Sequence, residues 1–189
     1  MNNENIIKVA DWITELGISI DVNEFSSRIK IQKLTFLLST LFNEKMYKDF
    51  TFFTRGPYSK NLESDYYSNK EIFNEQHRPA KVSEKEREEL ERLKSSGVKE
   101  ISAEQFEIMA SLLYLKEIEK LDEQAAIEEL MKRKSYLKLQ DVVSGLNKLK
   151  QFMLTEKDRK ELLKMLEKEM KPFEDASLAD ARDFLKTAE

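Results

Sequence analysis

Four glycines and three prolines in 189 residues leave this chain few places to break regular structure. Glycine interrupts helices through its backbone freedom, and proline through its fixed ring and missing donor. A chain so poor in both, with 40% hydrophobic and 36% charged residues, is expected to be mostly α-helical. A chain of this length buries roughly 70% of its unfolded surface, so a core is possible without disulfides or metals.

Apolar spacing supports that expectation. Ile6, Val9, Trp12, Ile13 and Leu16 recur at three- and four-residue steps, and Gly17 follows where a helix would stop. From Arg28 to Phe42 the apolar residues Ile29, Ile31, Leu34, Phe36, Leu37, Leu38, Leu41 and Phe42 cover so wide a face that this helix should be central. Its polar strip, Arg28, Gln32, Thr35 and Ser39, is expected to meet water, with hydrogen bonds to neighbouring backbone as the alternative. Later helices are expected over Ser102 to Ile118, Asp122 to Met131, Leu137 to Phe152 and Thr155 to Met170, with a last turn or two over Ala179 to Thr187. Capping boxes are expected at Ser83 with Glu86, Ser102 with Gln105, Thr155 with Asp158 and Ser177 with Asp180.

One segment departs from the helical period. Over residues 47–55 aromatic residues alternate, Phe50 and Phe52 against Thr51, Phe53 and Arg55, which predicts a small β element, a strand or hairpin. Gly56 and Pro57 should break it, and Ser59 should cap a helix carrying Leu62 and Tyr66. Ser68 to Lys81, with His77 and Pro79, reads as a loop.

Several function classes fall away. Without cysteine, disulfides, thiolate chemistry and sulfur-ligated zinc are excluded, and the lone His77 reads as a loop residue, so neither a metal nor a cofactor is expected. The chain has no 18-residue apolar run and no signal-peptide pattern at its start, which leads us to expect a cytoplasmic protein and no membrane partner. Glu63 and Asp65 near Arg55 are a poor catalytic pair, because neighbours two apart on a helix point in different directions. Catalysis is not expected, although an enzyme of unrecognised type is one alternative. The net charge of −4 argues against nucleic acid. The exception is Met131 to Lys150, where Lys132, Arg133, Lys134, Lys138, Lys148 and Lys150 face only Asp141. A nucleic-acid-binding regulator using this stretch is a second alternative, but the consecutive Lys132, Arg133 and Lys134 fit better as cations at a helix C-terminus.

The informative stretch is Arg55-Gly56-Pro57-Tyr58-Ser59, between an aromatic strand and a helix. Gly56 permits an unusual backbone angle and Pro57 fixes the next, so Arg55 and Tyr58 can be presented on a rigid corner. Packing of Tyr58 inward, as a plain corner, is the competing reading.

Taken with the helix IKIQKLTFLL and the strand DFTFF, this stretch resembles the SocA/Panacea-type domain and the related YwgA-like prokaryotic proteins. These carry a helix reading roughly R-L-Q-K-L-x-Y/F, then a strand and a G-P-Y/V-S turn. The matching residues are Ile31, Gln32, Lys33, Leu34, Phe36, Gly56, Pro57, Tyr58, Ser59 and Leu62, and the likeness covers about Arg28 to Tyr67. It implies such a domain over residues 1–153, with 154–189 as a helical extension. It also implies an antitoxin-like or adaptor protein that neutralises or delivers a partner protein, such as a toxin, by direct contact. The residues expected to carry that contact are Arg55, Gly56, Pro57, Tyr58 and Ser59, with Gln32 and Tyr66 beside them. The oligomeric state stays open, a homodimer included.

A chain of net charge −4 without a recognition motif should show no salt-steep binding to duplex DNA. Fluorescence-anisotropy titration at physiological salt should find no affinity as tight as low micromolar; such an affinity would promote the nucleic-acid reading.

Overall fold

Trp12, Ile13 and Leu16 bring the first helix into the core, and Gly17 ends it as its position predicts. Helix α1 spans Asn3–Glu15. Gly17 takes φ +69°, and its N–H donates to Thr14 O while that of Ile18 donates to Ile13 O, the paired bonds of a Schellman stop. The computed structural model describes residues 3–74, 80–155, 157–166 and 168–171. His77, Pro79, the Ser177–Asp180 box and the turn over 179–187 lie outside the described residues. The chain divides into two compact units, Met1–Met153 and Leu154–Glu189.

The first unit is mostly α-helical with one small antiparallel hairpin. Its centre is the packing of α2 (Phe25–Leu41) on a later helix, α6 (Ala103–Glu117); both are buried around nearly their whole circumference. The polar strip of α2 corrects the expectation of solvent contact: Gln32, Thr35 and Ser39 are buried. Thr35 donates to Ile31 O at 2.7 Å, its own preceding turn.

Strand β1 (Thr51–Phe53) pairs with β2 (Gly56–Tyr58) in the register Phe53 with Gly56, Phe52 with Pro57 and Thr51 with Tyr58. The expected alternation holds, since Phe50 and Phe52 pack on Phe36 and Tyr114 while Phe53 is exposed. Gly56 and Pro57 do not break the β element, however; they form its second strand after a two-residue turn at Thr54 and Arg55. Proline is tolerated there because both strands of a two-stranded ribbon are edges.

Helices α3 (Lys60–Ser68) and α4 (Lys70–Asn74) follow, the latter inside a segment expected to be loop. Helix α5 (Glu84–Ser95) opens with the complete Ser83–Glu86 capping box. Glu86 also accepts from Trp12 Nε1 at 2.9 Å and pairs with Lys8 at 3.2 Å, which ties α5 to α1. A 3₁₀ turn (Val98–Glu100) leads to α6. Ser102 caps α6 as expected, but the box is not closed, because Gln105 instead accepts from Lys148 at 2.7 Å. Helices α7 (Glu123–Arg133) and α8 (Leu139–Met153) complete the unit. In α8, Gly145 admits the side chain of Ile108, whose Cγ2 would stand 2.4 Å from an added Cβ.

In the second unit Thr155 and Asp158 form the expected box, and residues 157–166 and 168–171 are helical. Among the described residues no helix is long and apolar enough to cross a membrane.

Gly56 carries two constraints. Its φ is +78°, and an added Cβ would lie 2.2 Å from Ser111 Oγ on α6. Gly56→Ala should therefore destabilise the protein by about 2 kcal/mol or more. Among the described residues the buried Ser111 hydroxyl has no hydrogen-bond partner, so Ser111→Ala should be neutral or stabilising by about 1 kcal/mol. In the Gly56→Ala background Ser111→Ala should recover part of the loss, leaving the cost of the left-handed backbone, about 1–2 kcal/mol. Urea unfolding of the four proteins in this cycle checks all three statements.

Candidate functional site

The corner after the hairpin is held from beneath by two consecutive residues of α2. The Gln32 side-chain amide pairs with the peptide group of Ser59 in both directions, Nε2 donating to Ser59 O and Ser59 N donating to Oε1, each at 2.9 Å. Lys33 Nζ donates to Pro57 O at 2.7 Å. An amide side chain thus does for this backbone what a neighbouring strand would do.

The Ser59 hydroxyl accepts from Leu62 N at 3.0 Å, as predicted for a cap, and donates to Asp49 Oδ1 at 2.7 Å. Asp49 Oδ2 in turn accepts from Asn61 N at 3.0 Å. Burial would raise the Asp49 carboxyl, but these donors at the start of α3 hold it below its ordinary value. Asp49 was not singled out from the sequence; a capping carboxylate ten residues upstream of its helix leaves no local pattern.

Over this support lies a pocket of about 350 Å³ between α2, the hairpin and α3. Of the seven residues expected at the site, Gln32, Arg55, Gly56, Tyr58 and Tyr66 line it. Pro57 and Ser59 do not; they are buried and supply the carbonyls gripped from α2. Ile29 and Lys33 join Gln32, Gly56 and Tyr66 as buried lining, while Phe25 (55% exposed) and Phe53 (58%) stand at the rim. The guanidinium groups of Arg28 and Arg55 both lie 5.5 Å from the centre of the Phe25 ring. Tyr58 is half-buried, with its ring 5.3 Å from that of Phe53 and its hydroxyl donating to Glu63. Burial first, then Glu63, pushes the Tyr58 hydroxyl up to about 12, so it remains a donor at neutral pH. Glu63 and Asp65 serve different tyrosines, Asp65 accepting from Tyr47 at 3.0 Å, and do not act as a pair.

Arg55 reaches past the pocket to a buried charge on α6. Glu107 is only 3% exposed and accepts from Lys134, from Tyr136 at 2.9 Å and from Arg55 at 3.3 Å. Burial alone would raise its carboxyl, but Lys134, Tyr136 and Arg55 together hold it below the ordinary range.

The basic stretch is largely consumed by such contacts. Lys134, at 1% exposed, is not one of three cations fanning around a helix end but is turned inward to Glu107. Arg133 grips Glu119 and Glu129, Lys132 lies 3.8 Å from Glu129, and Lys150 pairs with Glu123 at 2.7 Å. Lys148 donates to Gln105. Among the described residues no group of three or more acidic or histidine side chains could hold a metal ion.

Removing one member of a buried pair strands the other, so Lys134→Ala should cost about 3–5 kcal/mol. Arg55 is half-exposed and its bond to Glu107 is long, so Arg55→Ala should cost less than about 1 kcal/mol. Chemical denaturation of both variants against wild type separates the two.

Comparison with protein-family models, with curated proteins and with solved structures returns no match to this chain. Its functional reading therefore has to come from the geometry of the corner.

Proposed function

We propose that this protein is an interaction module, antitoxin-like or an adaptor, which neutralises or delivers a partner protein by binding it at the corner pocket. The observation that carries this reading is the rim: two phenylalanines more than half exposed, Arg28 and Arg55 over one of them, and a buried, hydrogen-bonded corner beneath. Aromatic residues and arginine dominate the energetics of protein interfaces, most of all around a pocket that can take an anchoring side chain. Exposed aromatic rings cost solubility and are seldom clustered without a use. The resemblance of residues 28–67 to SocA/Panacea-type domains supports the same class. The basic stretch gives little support to the nucleic-acid alternative, since Lys134 is buried and Arg133 lies between two glutamates.

Such a rim should contribute to binding and little to folding. Phe53→Ala and Arg55→Ala should melt within a few degrees of wild type, yet each should weaken capture of the same partner in a quantitative pull-down from the native host by about tenfold or more, on the order of 1.4 kcal/mol. The partner, purified and titrated against the three proteins, should show the same order. Equal recovery of one partner by all three proteins at matched stability would remove the rim from the interface.

A further inference from the structure

The corner pocket holds more positive charge than its neighbours answer. Arg28, Lys33 and Arg55 line it, and Glu63 is the one carboxylate in its lining, already engaged by the Tyr58 hydroxyl. Arg28 donates to the carbonyls of Val22 at 3.0 Å and Asn23 at 2.7 Å, and Lys33 to that of Pro57. Among the described residues neither is ion-paired with a carboxylate. Arg55 shares Glu107 with Lys134. Four basic side chains (Arg28, Lys33, Arg55, Lys134) thus meet two carboxylates (Glu63, Glu107), within a chain of net charge −4.

Lys33 is the costly member. It is 2% exposed, and a buried ammonium whose hydrogen-bond acceptor is a neutral carbonyl is poorly compensated for its desolvation. An anion brought into the pocket would relieve that cost. Most of the rest of the lining, Phe25, Ile29, Phe53, Tyr58 and Tyr66, is apolar or aromatic, and the Gln32 amide is already committed to the Ser59 backbone, so an anion with an apolar body fits best. A phosphate ester, with up to two charges to desolvate among aromatic walls, fits less well than a single carboxylate, which guanidinium groups match in a planar fork. A volume of about 350 Å³ suits a small ligand or one large residue, at the low end of ligand sites.

We propose that this pocket binds a monocarboxylate with an apolar or aromatic body, the carboxylate held by Lys33 with Arg28 or Arg55 and the body between Phe25, Ile29 and Phe53. A free organic acid would supply that chemistry, and so would the C-terminal apolar residue of a polypeptide; only the second rests on the interaction reading. The site also predicts coupling to protons. Burial pushes the Lys33 ammonium down to about 7, with Glu107 opposing that shift and Lys134 and Arg55 adding to it. At pH 8 the free protein therefore holds Lys33 largely neutral, and a bound carboxylate favours the charged form. Binding should take up a proton and weaken as pH rises above 7. The tyrosines facing the pocket, Tyr58 and Tyr66, are both shifted upward and stay protonated in this range.

Isothermal titration of the full chain tests this with four probes: 4-phenylbutyrate and its amide, and a hexapeptide ending in phenylalanine with a free or an amidated terminus. At least one carboxylate should bind at least tenfold tighter than its amide. Its affinity should fall by up to about tenfold between pH 8 and 9, and its enthalpy should differ between phosphate and Tris buffers as a proton is taken up. Lys33→Met should abolish the buffer dependence, and the partly exposed Arg28→Gln, which leaves the buried lysine intact, should weaken binding about tenfold. Binding of the free acid alone assigns a small-molecule ligand, and binding of the peptide alone assigns a polypeptide terminus. Equal binding of acid and amide, or none by any probe at millimolar concentration, overturns the proposal. Because the probes are defined and the protein purified, that failure is distinct from failure to capture a partner.

Discussion

A carboxylate taken almost wholly out of water has to be answered by donors, and Glu107 collects its donors from parts of the chain far apart in sequence. Lys134 comes from the end of α7, Tyr136 from the turn before α8, and Arg55 from the hairpin. Each bond is an attachment to α6, the helix that also packs against α2 and α8. The cost of burying a charge is what makes the attachment specific: a shifted α7 would leave Glu107 or Lys134 without its ionic partner in the interior, a penalty of several kcal/mol. An apolar contact of the same area would tolerate a slip of register far more readily.

The same logic governs the corner at lower cost. Gln32 and Lys33 sit on a helix otherwise filled with leucine, isoleucine and phenylalanine, and their polar ends stop at the backbone of residues 57 and 59. Gly56 lets the hairpin come down onto α6 at Ser111, close enough that a methyl group would collide with it. The hairpin is too short to be stable alone; its position is imposed by α2 on one side and α6 on the other. The pocket exists because these three elements meet while α3 departs at an angle set by Ser59 and Asp49.

Much of this was legible where the cause is local. The end of α1 at Gly17, the caps at Ser59 and Ser83, and the alternation of Phe50, Phe52 and Phe53 all follow from a few neighbouring residues. What could not be read depends on contacts between distant segments. Gln32 has the spacing of a solvated strip and is buried only because Ser59 arrives 27 positions later. Lys134 looked like a third cation at a helix end, but it is the residue at which α7 ends, where the backbone departs from helix and the side chain is freed to turn inward. Gly56 and Pro57 are turn formers by residue type, yet the turn lies one step earlier, at Thr54 and Arg55, because positive φ at Gly56 serves the approach to Ser111. Five of the residues singled out around the corner share one pocket, whereas Lys33, matched only as part of a helix motif, proves to be a buried ammonium bonded to the backbone of Pro57.

The double amide clasp between Gln32 and Ser59 has an evolutionary consequence. It fixes the main chain of the corner through bonds that ignore the identity of the rim side chains, since one partner is a peptide group and the other is locked inside α2. Phe25, Phe53 and Arg55 project from that frame and are about half exposed or more, so they can be exchanged by single-nucleotide steps at little cost in stability. The rim side chains and the bonds that fix the corner's backbone are thereby largely separate sets of atoms. A lineage carrying this arrangement is free to change those three surface positions by drift while the interior stays as it is.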